Sequence, residues 1–295
     1  MHPPHLRILT PQPGVYAYSD GRVPGYRYDA RENWVDDGAL SLGVASFALV
    51  EGDQALVYDT GTTLAHGQAI RAHLEGLGVR HLRIILSHWH KDHVAGTAAF
   101  GPVEVIANAR TAAHLAQRRD DIEAGVKWPP IKPLVLPTTT FSGRMTLTLG
   151  ARRVELIEMN IHSDDATVLW LPEDALLFAG DTLEDPLTYV AEPEHLATHL
   201  ADLGRLAALK PLHILPCHGD LGVIAAGGYG TGLIAATQRY VNYLMSLGEH
   251  PERKDRPLDD ILGLDLAAGH INWFEPYRKV HALNLAEVMA LHEPN

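Results

Sequence analysis

The stretch ILSHWHKDHVAG, residues 85–96, limits what this chain can fold into more than any other part of it. Four ligand-type side chains, His88, His90, Asp92 and His93, fall within six positions, directly after the apolar run Leu82–Leu86. Alternate residues of an extended chain point the same way, so His88 and His90 can share a side. Asp92 and His93 come from the turn and the first positions of a following helix. Two pairs of side chains therefore face one small volume from different directions. A single histidine there would be an ordinary hydrogen-bonded residue. Imidazoles and a carboxylate clustered where a hydrophobic strand ends form a metal-ligand pattern rather than a packing pattern.

Composition narrows the metal chemistry. Cys217 is the only cysteine, which excludes an internal disulfide and a multi-cysteine zinc site. Any ion must then rely on carboxylates and on the 18 histidines. The net charge is −12 with no useful run of basic residues, so nucleic acid is not an expected partner. Arg118-Arg119 and Arg152-Arg153 read as solvated pairs. No apolar run reaches the roughly 18 residues that span a bilayer, so no membrane partner is expected. The proline-rich N-terminus lacks the apolar core of an export signal, and a cytoplasmic location is the default. The expected partner is a small-molecule substrate; the oligomeric state stays open.

The 295 residues alternate strand and helix patterns in both halves, which gives an α/β or α+β class with helices packed on sheets. Strands are expected at Val15–Ser19, Ala45–Val50, Ala55–Tyr58, Leu82–Leu86 and Val103–Ala107, then at Met145–Leu149, Arg153–Glu158, Thr167–Leu171, Ala175–Ala179 and His213–Pro216. Helices are expected over Leu64–Leu77, His93–Phe100, Pro193–Leu209 and Thr231–Leu247, with another starting at Thr111 as its N-cap. Residues 20–42 and 120–139 read as loops. The charged stretch at 250–260 is the one credible linker. We therefore expect a catalytic domain over 1–249 and a helical extension over 250–295, too short to hold a core of its own and docked on the rest.

Three further ligand-type residues follow strand candidates: His162 in MNIHSDDA, Asp181 in LLFAGDTLED and His218 in HILPCHGD. Strand ends on one edge of a sheet converge, and that edge is where open α/β sheets put their sites. The set H-x-H-x-D-H, His162, Asp181 and His218, with Asp59 in LVYDTG ahead of it, resembles the metallo-β-lactamase-fold hydrolase superfamily over residues 14 to about 220.

The resemblance implies a four-layer αββα sandwich with the site along one edge. It implies two divalent ions, zinc first with iron or manganese as alternatives. His88, His90 and His162 would hold one ion, and Asp92, His93 and His218 the other. Asp181 would bridge both, and Asp59 would fix a ligand's orientation by a hydrogen bond. Two ions sharing a hydroxide make a nucleophile available at neutral pH, with Asp92 orienting it. The aspartate at the bridging position, where many β-lactamases carry Cys or Ser, places the chain on the glyoxalase II and lactonase side. The expected activity is hydrolysis of a small ester, lactone or thioester, with Asp92 and Asp181 as catalytic residues.

β-Lactam hydrolysis, an iron-dependent oxidoreductase on the same ligands, and a metal-binding protein without catalysis remain as alternatives. Trp34, Trp89 and Trp128 are expected in or beside loops rimming the site. Tyr189, eight residues after Asp181, is expected either near the leaving group or simply packed. Cys217 reads as a small buried residue, and Tyr277, His270 and His281 as core or surface, with closing over the site as the alternative.

Overall fold

Alternation of buried side chains along the strands sets the architecture. In the computed structural model, which describes residues 3–292, Phe47 and Leu49 face one hydrophobic core and Ala48 between them faces another. Leu56, Val57 and Tyr58 divide in the same way, as do Ile84 and Ile85. The first sheet is therefore buried on both faces.

That sheet runs β1 (Arg7–Gln12), β2 (Val15–Asp20), β3 (Val44–Glu51), β4 (Gln54–Tyr58), β5 (His81–Ile85), β6 (Glu104–Asn108) and β7 (Thr139–Phe141), in spatial as in chain order. The pairings from β1 to β4 are antiparallel and those from β4 to β7 parallel. The second sheet has the order β12-β11-β10-β9-β8, built from β8 (Arg144–Leu149), β9 (Arg152–Glu158), β10 (Thr167–Leu171), β11 (Leu176–Gly180) and β12 (His213–Pro216). Only its β11–β12 pair is parallel.

The larger core fills the space between the sheets, where Phe47 and Phe178 stack with centroids 5.3 Å apart. It continues through the second sheet to the helices outside it, α5 (Leu196–Ala208), α7 (Gly232–Ser246), α8 (Leu258–Ala267) and α9 (Tyr277–Ala290). α1 (Leu64–Gly76) and α3 (Ala109–Gln117) cover the other face of the first sheet. Short helices α2 (Lys91–Val94), α4 (Arg119–Ala124) and α6 (Leu221–Ala225) fill the connections. The result is the expected αββα sandwich.

Several local expectations change. The helix expected over His93–Phe100 divides into α2 and a 3-10 turn at Thr97–Phe100. Between them Gly96 meets the Thr60 carbonyl and Gly67 of α1 so closely that a Cβ would lie 2.1 Å from that oxygen. The helix expected from Thr111 begins at Ala109, because Asn108 caps it by accepting from the Arg110 amide at 2.9 Å. Residues 20–42 contain a π-helix, Val35–Leu40. β1 and β7, at the two edges of the first sheet, were not expected; edge strands bury one side less and carry weaker patterning. Among the described residues, no helix is long and apolar enough to cross a membrane.

Candidate metal centre

β4, β5, β11 and β12 end on the same edge of the sandwich, and the four strand ends carry Asp59, His88, Asp181 and His218. Gly180 prepares the third of these. Its φ is +57°, and a Cβ there would meet the Tyr58 hydroxyl at 2.9 Å and the Ser87 side chain at 3.1 Å. Only glycine lets β11 reach the turn that presents Asp181. His162 comes from the connection between β9 and β10 and holds a φ of +71°. His90 ends the extended stretch before α2, and Asp92 and His93 lie within that helix.

The side chains converge as two groups. One is His88, His90 and His162; the other is Asp92, His93, Asp181 and His218; within each group the candidate ligand atoms lie within 4.8 Å of one another. Asp181 Oδ2 sits between the groups, 3.1 Å from His93 Nε2, 3.2 Å from His218 Nε2, 3.7 Å from His88 Nε2 and 3.8 Å from His162 Nε2. Asp92 Oδ2 is 3.6 Å from His93 Nε2 and 3.5 Å from His218 Nε2.

Hydrogen bonds on the far ring nitrogens fix the imidazoles. His162 Nδ1 lies 2.9 Å from the Tyr189 carbonyl, and His218 Nδ1 faces the Gly43 carbonyl. His93 Nδ1 lies 2.8 Å from Asp59 Oδ2. Asp59 in turn accepts from the Ser87 amide and hydroxyl, both at 2.7 Å. Each bond leaves Nε2 aimed at the centre. His90 presents Nδ1 instead, 2.9 Å from His162 Nε2.

Electrostatics divide the groups. Burial, reinforced by the neighbouring imidazoles, pushes His88 well down and His90 to about 3, so both are neutral. Burial also acts against the charged forms of His93 and His218, but Asp181 and Asp92 outweigh it and hold both well above the usual imidazole range. Burial would raise Asp181; His218 and His93 reverse this and leave it well below the usual carboxylate range.

Two buried atoms test whether the residues fit a cation. His88 Nε2 and Asp181 Oδ1 have no hydrogen-bond partner. A buried lone pair and a buried carboxylate oxygen left unsatisfied cost free energy that a cation beside them would remove. The nitrogen and oxygen donor set suits a borderline divalent metal.

Above the centre lies a cavity of about 720 Å3. Trp34, Trp89 and Tyr189 line it, whereas Trp128 is not among its lining residues. The Trp128 ring is covered by the Arg31 guanidinium at 3.7 Å, so this loop tryptophan packs on its own neighbourhood. Cys217 is buried, with Sγ 3.5 Å from Asp59 Oδ2, and burial pushes its thiol well up.

Glu184 was not expected. It lines the cavity, and its Oε1 lies 3.8 Å from His162 Nδ1 and accepts from the Tyr189 amide at 2.9 Å. Its Oε2 accepts from the Tyr277 hydroxyl of α9 at 2.8 Å. Burial pushes it up to about 7, with His218 opposing and Asp181 adding to the rise. Its one sequence signal is its place three residues after Asp181. Tyr277, expected as core or surface with closing over the site as the alternative, is buried and reaches the cavity through Glu184.

Comparison with known proteins agrees with this geometry. The profile described as "Metallo-beta-lactamase superfamily" matches residues 41–218. Similar proteins include the 2,4-dinitroanisole O-demethylase subunit alpha of Nocardioides sp. (strain JS1661), 26% identical over 196 residues, 60% of this chain and 54% of that protein. An atrochrysone carboxyl ACP thioesterase of Claviceps purpurea (strain 20.1) is 22% identical over 256 residues, 86% of this chain and 68% of that one. The chain thus spans only about half the length of the first. Among solved structures, a metallo-beta-lactamase from Pontibacter korlensis superposes with a TM-score of 0.60 at 18% identity, covering 81% of this chain and 99% of that one.

Proposed function

This chain belongs to the metallo-beta-lactamase superfamily, and from that premise we propose that it hydrolyses small esters, lactones or thioesters with the help of two divalent metal ions, zinc before iron or manganese. His88, His90 and His162 would hold one ion, Asp92, His93 and His218 the other, and Asp181 would be shared. The observation that carries this reading is the placement of Asp181 Oδ2 within 3.8 Å of imidazole nitrogens from both groups. Bound divalent ions supply Lewis acidity, which acidifies water and polarises a carbonyl.

The chain's own residues do the rest. Asp92, whose side chain is 18% exposed toward the cavity, accepts a hydrogen bond from the attacking water and aims it. Water adds across the acyl bond: its oxygen ends on the acyl carbon and its proton on the leaving oxygen or sulfur. Trp34 and Trp89 keep bulk water from the acyl group. An aspartate at the shared position, and a relative named as a thioesterase that covers most of the chain, support acyl esters and thioesters over β-lactams.

The test is metal quantification on protein purified without chelators, followed by turnover of thioesters, lactones, esters, β-lactams and phosphodiesters. We expect two metals per chain and turnover of acyl substrates. Asp181→Asn should keep the native circular dichroism and lose most of both; full turnover in that variant or in metal-free protein would refute the proposal.

A further inference from the structure

Lysine is rare in this chain, and its placement is not even. The whole sequence has six lysines: Lys91, Lys127, Lys132, Lys210, Lys254 and Lys279. Three of them, Lys91, Lys127 and Lys279, line the cavity over the metal centre, from three separate segments. Scattered evenly, less than one would fall on a lining of that size. In a chain of net charge −12, this concentrates cations at one opening.

The three differ in what they can do. Lys91 is occupied: its ammonium donates to the carbonyls of Val126 at 2.7 Å and Lys127 at 3.2 Å, tying that loop to α2. Lys127 and Lys279 are exposed and make no ion pair or side-chain hydrogen bond among the described residues. Lys127 holds a φ of +59°, an uncommon conformation for a non-glycine residue. Asp59 and His162 share that property and both sit at the centre. Lys279 acts electrostatically on Asp37, but both oxygens of that carboxylate are already held by Arg27 at 2.7 and 3.2 Å. The other acids on the lining, Asp92, Asp181 and Glu184, belong to the metal centre on the floor.

Much of the remaining lining is apolar, with Trp34, Leu42, Trp89, Val280 and Leu283. The cavity thus offers a candidate metal centre, an apolar barrel and two ammonium groups without ion pairs among the described residues. We propose that the substrate is an anionic amphiphile: an ester or thioester whose apolar body fills the barrel and whose carboxylate or other anionic group, remote from the scissile bond, is read by Lys127 and Lys279. This rests on the hydrolase reading for the floor, while the selection of charge rests on the rim alone.

Two dyes of nearly the same shape test it without turnover. 1-Anilinonaphthalene-8-sulfonate carries an anion, and N-phenyl-1-naphthylamine lacks it. Both are titrated by fluorescence into the metal-loaded protein and into the double variant Lys127→Gln/Lys279→Gln, whose replaced side chains have no partners to lose. The readout is the ratio of the two affinities. An exposed ion pair contributes up to about fivefold, so two lysines should lower the anion preference about tenfold. A change of less than twofold overturns the proposal.

A second arm compares kcat/KM for a p-nitrophenyl half-ester of an aliphatic dicarboxylic acid with that of its methylated counterpart. The free carboxylate should be favoured through KM, and the preference should vanish in the double variant. A protein that turns over no acyl substrate yet keeps the dye preference sinks the hydrolase reading alone. Hydrolysis with no charge preference in either arm sinks this inference alone.

Discussion

Asp59 shows how much the candidate metal centre depends on a residue that orients its histidines. Its backbone is left-handed at φ +64°, and its carboxylate accepts from Ser87 and His93, so His93 Nε2 has one direction left to face. An Asp59→Asn substitution keeps the shape but must set an amide group against either the Ser87 donors or the His93 N–H. We expect the affinity for metal to fall about 10–100-fold with little change in the fold, as for other partners of ligating histidines. Titration against a competing chelator measures it; an affinity equal to wild type would remove Asp59 from the orienting role. At this scale the sequence was readable wherever a ligand type coincided with the end of an apolar run. Four candidates stood together at 88–93, and His162, Asp181 and His218 each followed a strand. Glu184 stayed hidden because its meeting with Tyr277 is made by tertiary docking across 93 residues of chain. The cationic rim stayed hidden for the same reason, since no two of its lysines are neighbours in sequence.

The elements that shape the cavity are those least visible as patterns. The π-helix at Val35–Leu40 carries Gly and acidic residues and has little intrinsic tendency to coil. Side-chain bonds hold it: Asp36 accepts from the amides of Tyr28 and Asp29 and from Asn33 Nδ2, and Asp37 pairs with Arg27. No periodicity announces such an element. α9 was legible as a helix, and its closing over the site only as the lesser alternative. Its buried Asn284 accepts from the Val190 amide and donates to the Thr188 carbonyl and the Tyr240 hydroxyl, clamping the segment that follows Asp181. Asn284→Leu leaves those backbone groups buried without partners and should cost about 2–3 kcal/mol in denaturant unfolding. A loss under half that would show that the segment holds itself. α9 also carries an acid-sensitive contact. His281 lies against the Tyr240 hydroxyl at 2.9 Å, and burial, with Arg278 adding to it, lowers its pKa to about 4. The unfolded chain protonates this histidine near 6.5, before the folded one does. Its contribution is therefore complete above about pH 6.5 and is lost as pH falls toward 4. Unfolding midpoints measured across that window should fall more steeply for the wild type than for His281→Gln; parallel curves would assign the acid lability to other groups.

For the molecule as a whole, the strand and helix patterns carried only the α/β or α+β class, and the four-layer sandwich was legible through the family resemblance of the ligand set, because strands buried on both faces read as apolar runs that do not tell one sheet arrangement from another. What remains is whether residues 250–295 form a dispensable extension. We propose that they do not. Leu258, Leu262, Ile271, Tyr277, Val280 and Val288 are buried in the same core as Tyr240, Val241 and Leu244 of α7. Burying each such side chain contributes about 1.5–3 kcal/mol, as an upper estimate, and whole domains are stable by only roughly 5–15 kcal/mol. The segment also supplies the Tyr277 hydroxyl to Glu184 and four lining residues, Pro276, Lys279, Val280 and Leu283, to the cavity. The link itself is exposed from Pro251 to Pro257, so a protease should cut there first. Cutting and removal should then have opposite results. A chain nicked in the link should keep its two parts together, with metal content and a single calorimetric transition close to those of the intact protein. A chain ending at residue 249 should lose the clamp on the segment after Asp181, expose the apolar face of α7, and be recovered poorly folded with little metal. If the shortened chain instead unfolds in one transition at the intact midpoint and carries its full metal complement, the boundary at 249–250 is a true domain border and the cavity wall built by α9 is not needed to hold the centre.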